Sequence, residues 1–310
     1  TGDNNGDVLI LDATSGGITL KGTLNNNSSF VDVSGKNGHT VTIDGIISGN
    51  GGIALKDNTI LTLNAANTYS GATVIEGGTL VLNSDLLSSD VTVQSGAILQ
   101  ISDEVTVKSL TVDAGGIVTI DSGKSLTITN DLTNNGSSFT INPAASLIVN
   151  GTSSGNVTYN RTLNFKDGPA NGWHLVSSPV AGEVFDNDFA NDNDIAEGTG
   201  NNLGIAEYSS GSWTYLQSPS GSIPSTSGLG YSMKRKTTTG TVAFTGTINT
   251  DNLSDVPVSE STSEFVLLGN PYTAYIYCDT FLEGNANLEQ SQIWVWEPGE
   301  TGGNYIANTT

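Results

Sequence analysis

Between residues 40 and 151 the chain repeats one short device: apolar residues alternate with small polar ones for a few positions, then stop at Gly, Asn, Asp or Ser. TVTIDG (40–45), TLVLN (79–83), VTVQSG (91–96), AILQIS (97–102), LTVDAG (110–115), IVTIDS (117–122), SLTITN (125–130), FTINP (139–143) and SLIVNG (146–151) all follow it. Alternation sends successive side chains to opposite faces, so each piece predicts a short half-buried strand closed by a turn. The two-residue turns that close hairpins rarely separate these pieces, which favours stacking over hairpins. Gly78-Thr79-Leu80, Gly96-Ala97-Ile98 and Gly116-Ile117-Val118 each open a strand, at intervals of 18 and 20 residues. A period of about 20 residues suits one coil of a parallel β-solenoid, in which each rung touches only its neighbours.

The texture changes between Thr158 and Pro169, where the Thr/Gly periodicity stops and aromatic residues become frequent. We place a boundary there, giving a β-helix domain over 1–160 and a second domain over 161–310. The second half predicts strands in WHLVSSP, IAEYSS, SWTYLQ, GYSMKRK, TVAFTGTI, EFVLLGNP and IWVWEP, separated by turn-rich loops, which together read as a β-sandwich-like domain. Phe281, Leu282 and Leu288 suggest one short helix, and Gly269-Asn270-Pro271-Tyr272 reads as a turn in which Pro271 fixes φ. Composition agrees with an all-β chain: 38 of 310 residues are Gly and only 13% are charged, so strong helix formers are scarce.

Charge narrows the partners. The formal net charge is −21, with −9 from residues 1–160 and −12 from the remainder. So acidic a surface repels phosphate backbones and anionic lipid, disfavouring nucleic acid and membrane surfaces as partners. No apolar run reaches the about 18 residues that a membrane helix needs. The single cysteine, Cys278, rules out an internal disulfide and is expected to pack as a small apolar residue. The first residues, TGDNNGDVLI, lack a basic region and an apolar core, and are read as a processed or internal end.

Two resemblances follow from specific residues. Asn67-Thr68-Tyr69-Ser70-Gly71-Ala72-Thr73, followed by Gly77-Gly78-Thr79-Leu80, resembles the passenger-associated repeat of bacterial autotransporters and related surface proteins. Ala72 stands where that family often has Gly. The resemblance implies a right-handed parallel β-helix exposed outside a bacterial cell. Exposed aromatics are common on β-surfaces, so Tyr69 is expected at the solenoid surface or a corner. In the second half, Trp173 to Val180, Ile205 to Tyr208, Gly230 to Met233, Val242 to Gly246 and Leu267 to Tyr272 resemble, in order, a module of large secreted and surface proteins of Bacteroidetes, which are typically exported by type IX secretion. In such proteins a carboxy-terminal sorting domain follows; its absence before Thr310 suggests a fragment or a trimmed mature chain.

Candidate chemistry is sparse. The acidic run from Glu183 to Glu197 includes Asp186, Asp188, Asp192, Asp194 and Glu197, a set of hard oxygen donors suited to Ca2+, although EF-hand offsets are not met and a solvated loop accounts for it as well. Lys234-Arg235-Lys236 is a basic cluster that suits an acidic loop of a neighbouring molecule, an anionic glycan, or a charged strand edge. Acidic and basic segments in one domain also suit head-to-tail contacts that propagate as fibres. Trp213, Tyr215, Trp294 and Trp296 are candidate sugar-stacking rings. With His39 and His174 the only histidines and no Gly-x-Ser-x-Gly, neither a serine triad nor a structural zinc site is expected, and no residue is assigned a catalytic role. The absence of Arg from residues 1–160 also argues against a uronate lyase.

The reading is a non-enzymatic extracellular or cell-surface bacterial protein, an adhesin or a structural, fibre-forming component that associates with itself or with a surface glycan or protein. The alternative is a carbohydrate-binding module or part of a polysaccharide-degrading enzyme. A planar row of solvent-facing rings favours the alternative, and buried rings favour a scaffold.

Overall fold

A computed structural model describes residues 9–13, 16–27, 30–35, 38–136, 138–166, 171–209, 211–254, 256, 266–285, 292–298 and 303–309. Strand accounts for 51% and helix for 6%, so the protein is an all-β chain. It divides into two compact units, Thr1–Thr158 and Tyr159–Thr310.

The first unit is a parallel β-solenoid of about 7 turns. Thr40 lies opposite Ile60, Ile60 opposite Thr79, Thr79 opposite Ile98, Ile98 opposite Ile117 and Ile117 opposite Ser138, so each strand pairs with the equivalent strand one coil on. A second parallel sheet runs Val31, Ile53, Thr73, Val91, Leu110, Leu132 by the same rule. This register stacks like residues in rows. Val41, Leu61, Leu80, Leu99, Val118 and Phe139 form one buried row, and Ile43, Leu63, Leu82, Ile101, Ile120 and Ile141 form the next. Each fully buried Val, Leu or Ile contributes about 1.5–3 kcal/mol against chain entropy. A slip of one residue would turn a whole row outward, which is why the alternation in sequence fixes the register.

The 67–80 stretch shows why the coil needs its Asn, Tyr and Gly. Buried Asn67 accepts from the Ile47 amide (2.8 Å) and donates to the Ala65 carbonyl (2.7 Å), tying its corner to the preceding coil. A Cβ on Gly71 would lie 2.4 Å from the Gly51 carbonyl carbon. Gly78 has φ +72°, and a Cβ there would lie 2.1 Å from the Thr59 oxygen. Backbones of adjacent coils approach closely at both corners, and only glycine fits. Tyr69 lies at a corner, between the strands Ile60–Leu63 and Thr73–Ile75, as expected, but not at the surface: it is 1% exposed, and its hydroxyl is spent inside the unit. The Ser89 hydroxyl donates to the Gly71 carbonyl (2.8 Å), so its only proton is committed. It must therefore accept from Thr73 (2.8 Å), which in turn accepts from Tyr69 (2.6 Å). The chain of donors runs one way and ends on the backbone. Burial, the larger influence, pushes the Tyr69 hydroxyl up to about 12 against the lowering influence of the Thr73 and Ser89 hydroxyls.

In the second unit the sheets are antiparallel. A four-stranded sheet has the order Trp173–Val176, Tyr231–Lys234, Asn202–Ser209, Ser212–Gln217. His174, Val176, Ile205, Leu216, Tyr231 and Met233 are buried on its core face. Against this face lies an aromatic cluster: Phe185 packs on Tyr231 and on Phe189 with centroids 4.9 Å apart in each pair, and Phe244 joins at 6.2 Å. Such edge-on pairs contribute beyond their buried area. The strand Gln292–Pro298 forms a hairpin with Gly303–Thr309.

Three local expectations are revised. The acidic run is not a loop throughout, because Asn187–Asp192 is a helix capped by Asp186, whose side chain accepts from the Phe189 amide (2.9 Å). Burial of Phe185, Phe189 and Ala190 draws it onto the core. In EFVLLGNP, Glu264 and Phe265 lie outside the described residues, and the remainder makes only an isolated bridge from Leu268 to Leu229. Asn270 explains the irregularity: its side chain accepts from the Tyr272 amide (3.0 Å) and donates to the Ala274 carbonyl (2.7 Å), forming the expected turn. Cys278 is exposed instead of packed; it opens the short helix Cys278–Gly284, which contains Phe281 and Leu282 as expected, while Leu288 lies outside the described residues.

Candidate functional site

The acidic and basic segments of the second unit meet within one chain. Ile195 bridges Arg235, the Ala196 amide donates to the Lys234 carbonyl (2.9 Å), and the Lys236 amide donates to the Asp194 carbonyl (2.7 Å). Arg235 is the hub. Its guanidinium donates to the carbonyls of Asn193 (2.7 Å), Thr241 (2.6 Å) and Thr238 (3.2 Å), and lies 3.4 Å from the Asp194 carboxylate. With its side chain only 11% exposed, it acts as a structural clamp. Lys236 reaches Glu197 (2.6 Å) at the surface, and that bond raises its pKa. Lys234, half-buried in its strand, lies opposite Trp173.

The five candidate metal ligands are divided among separate tasks. Asp186 caps the helix, Asp188 lies in its first turn, where a negative charge favours the helix dipole, and Asp192 is exposed at its end. Asp194 and Glu197 face the basic cluster. Among the described residues no group of three or more His, Cys, Asp or Glu is gathered to hold a metal ion.

The other face of the four-stranded sheet is aromatic. Directly paired residues share a face, so the pairs Tyr208 with Trp213, Ala206 with Tyr215, Ala206 with Ser232, Leu175 with Ser232 and Trp173 with Lys234 gather these side chains on one side. Trp213 packs on Tyr208 (5.1 Å, 59°), and Tyr215 meets Trp173 edge-on (6.0 Å, 66°). From the hairpin, the Trp296 indole donates to the Trp173 carbonyl (2.9 Å) and Trp296 packs on Tyr305 (5.0 Å, 63°). The rings are thus steeply inclined to one another instead of forming a coplanar row. Trp213, Tyr215 and Trp294 remain 38%, 37% and 45% exposed. The sequence reading omitted Trp173 and Tyr208. Both were within reach of it: the WHLV alternation sends Trp173 to the face away from buried His174, and the pairing of Ser209 with Ser212 sets Tyr208 across from Trp213.

His174 is buried, with Nε2 3.0 Å from the Asn164 carbonyl, and burial lowers its pKa, with no hydroxyl or thiol nucleophile paired to it among the described contacts. The two segments that carry the second-half resemblance also meet: Ser177 donates to the Asn270 carbonyl (2.8 Å), and a Cβ on Gly269 would lie 2.1 Å from that of Ser177.

No curated protein and no solved structure matches the chain. The passenger-associated-transport-repeat family matches residues 57–82, the coil built around Asn67, Tyr69, Gly71 and Gly78. That repeat and the β-solenoid fit a secreted, autotransporter-like passenger, and the repeat implies an exported, surface or extracellular protein. A second match runs from Leu82 through the later coils and the antiparallel unit to residue 309; spanning well over half of the sequence, it shows that the chain belongs to the domain family of unknown function DUF8693.

Proposed function

We propose that this chain is a non-enzymatic passenger of a bacterial surface protein, in which the solenoid is a spacer and the antiparallel unit an adhesive or structural module. The observation that carries this reading is the 57–82 repeat: its distinctive residues are spent on closing its own corners and seating it on the preceding coil. Export by type IX secretion in a member of the Bacteroidetes is the finer form of the proposal. It is supported by the Ser177–Asn270 contact, which joins the two segments resembling such a module. The test is to raise antibody to the purified chain, label intact cells of its source organism, and treat them with an external protease. Surface label that the protease removes supports the proposal, and signal found only after lysis overturns it.

A second reading, binding of a neutral glycan, is favoured by the exposure of Trp213, Tyr215 and Trp294. Native gels cast with soluble polysaccharides test it. Retardation that a Trp294→Ala change abolishes supports this reading; unaltered mobility in every gel removes it.

A further inference from the structure

We infer that the Ser212–Gln217 strand is a docking edge for a second copy of this chain, which adds its own Ser212–Gln217 strand antiparallel across a two-fold axis. The inference gives the structural reading a contact surface and is tested separately from export.

Among the described residues this strand pairs with Asn202–Ser209 alone and ends the four-stranded sheet. Its pairing is regular from Ser212 to Tyr215, and all four of those residues are exposed. A free edge offers a row of backbone donors and acceptors, and natural sheets guard such edges with Lys, Pro, a bulge or inward charge. Ser-Trp-Thr-Tyr has none of these. Charge is missing from a wide region, because no charged residue occurs between Glu207 and Lys234, and Pro219 and Pro224 lie beyond the end of the strand.

Self-complementarity selects the occupant, and charge limits where it can dock. Each copy carries −21, so two copies repel least where the facing residues are uncharged; Ser212 to Tyr215 carry no charge, and Glu207 stands opposite Thr214 on the neighbouring strand, away from the free edge. The strand is also self-complementary. A two-fold axis perpendicular to the sheet and passing at Thr214 keeps the aromatic face continuous between copies. It sets Trp213 of each copy opposite Tyr215 of the other and Thr214 opposite Thr214. Aromatic cross-strand pairs are among the favourable ones in sheets. Such a contact is isologous and closes at two copies. A glycan would use the exposed rings but leave the backbone row unmet.

The experiment is sedimentation velocity of the full chain over a range of concentrations, at low and high salt, beside a crosslinking variant. Cys278→Ser removes the exposed native thiol, and Thr214→Cys is added to it. Opposed residues of an antiparallel pair have Cα atoms about 4.5–5.5 Å apart, within disulfide reach. The expected result is a reversible dimer that strengthens with salt, as screening weakens the repulsion. It should also yield a disulfide-linked dimer from the Thr214→Cys variant and none from a control with Thr250→Cys. Trp213→Lys with Tyr215→Lys, checked for fold by circular dichroism, should leave only monomer. Monomer at every concentration overturns the inference, as does a dimer that survives both lysines or lacks the Thr214 crosslink. Association that weakens with salt or grows into filaments points to contacts between charged segments and overturns it too.

Discussion

The Tyr69–Thr73–Ser89 chain allows a sharp test of how the solenoid is held. Tyr69→Phe removes the first donor and leaves the Thr73 oxygen with one partner fewer in a buried site. The net loss of one such bond costs about 1 kcal/mol, and somewhat more where a buried group is left unmet. Thr73→Val is worse in kind. It strands the Tyr69 hydroxyl as a buried donor without an acceptor and takes away the donor to Ser89, while Ser89 keeps its bond to Gly71. About 2–3 kcal/mol is expected. The double variant removes both unmet groups at once and should cost less than the two singles together, by about 1 kcal/mol. All four tryptophans lie beyond residue 160, so guanidinium unfolding followed by tryptophan fluorescence reports the antiparallel unit. Far-UV circular dichroism reports both units, and the effect should appear there alone. Additive singles, or a neutral Tyr69→Phe, would refute the one-way donor chain. The pH dependence carries a matching sign. The hydroxyl is pushed up to about 12 from 10, so its contribution is complete below 10 and is lost as pH rises toward 12. Absorbance titration should find one tyrosine that ionises only as the solenoid melts.

Other expectations concern separate sites. Gly96→Ala meets open space and only left-handed strain at φ +79°, costing about 1–2 kcal/mol, whereas Gly78→Ala places a methyl against the Thr59 carbonyl and should cost clearly more; equal losses in thermal melts would contradict the close approach of coils. Arg235→Lys cannot reproduce the bonds to Asn193, Thr241 and Thr238 and should cost about 2 kcal/mol by tryptophan-monitored unfolding, while Lys236→Ala should leave the midpoint unchanged. Burial depresses the His174 pKa below 6.5, so its contribution to stability is complete above 6.5 and is lost as pH falls through the lowered folded value. A His174→Gln variant should lose that acid-side slope; an unchanged slope assigns it elsewhere. With Asp186, Asp188, Asp192, Asp194 and Glu197 dispersed, Ca2+ and chelator should give the same melting curve for the antiparallel unit, and a Ca2+-dependent rise would require this segment to rearrange.

The solenoid is legible from local pattern and period. Alternation in pieces such as TVTI, TLVL and IVTI specifies which side chains go inward, and the recurring offset brings equivalent pieces into register, because both properties are local or periodic. The strand SWTYLQ and the Asn270 turn were legible for the same reason. The places of the polar and aromatic residues depend instead on contacts made in the folded chain. Tyr69 resembled a surface residue in sequence, but it is buried, and Thr73 of its own coil, backed by Ser89 of the following one, meets its hydroxyl. The acidic run looked like a solvated loop or a calcium site, but Phe185 and Phe189 gain more by packing on Tyr231 and Phe244, and that burial folds the intervening residues into a helix. Arg235 lies about forty residues from Asn193 and Asp194 in sequence, and no local pattern records that separation. The aromatic face is intermediate. Each strand shows which rings share a side, but the strand order that leaves Ser212–Gln217 at the edge is a property of the assembled sheet.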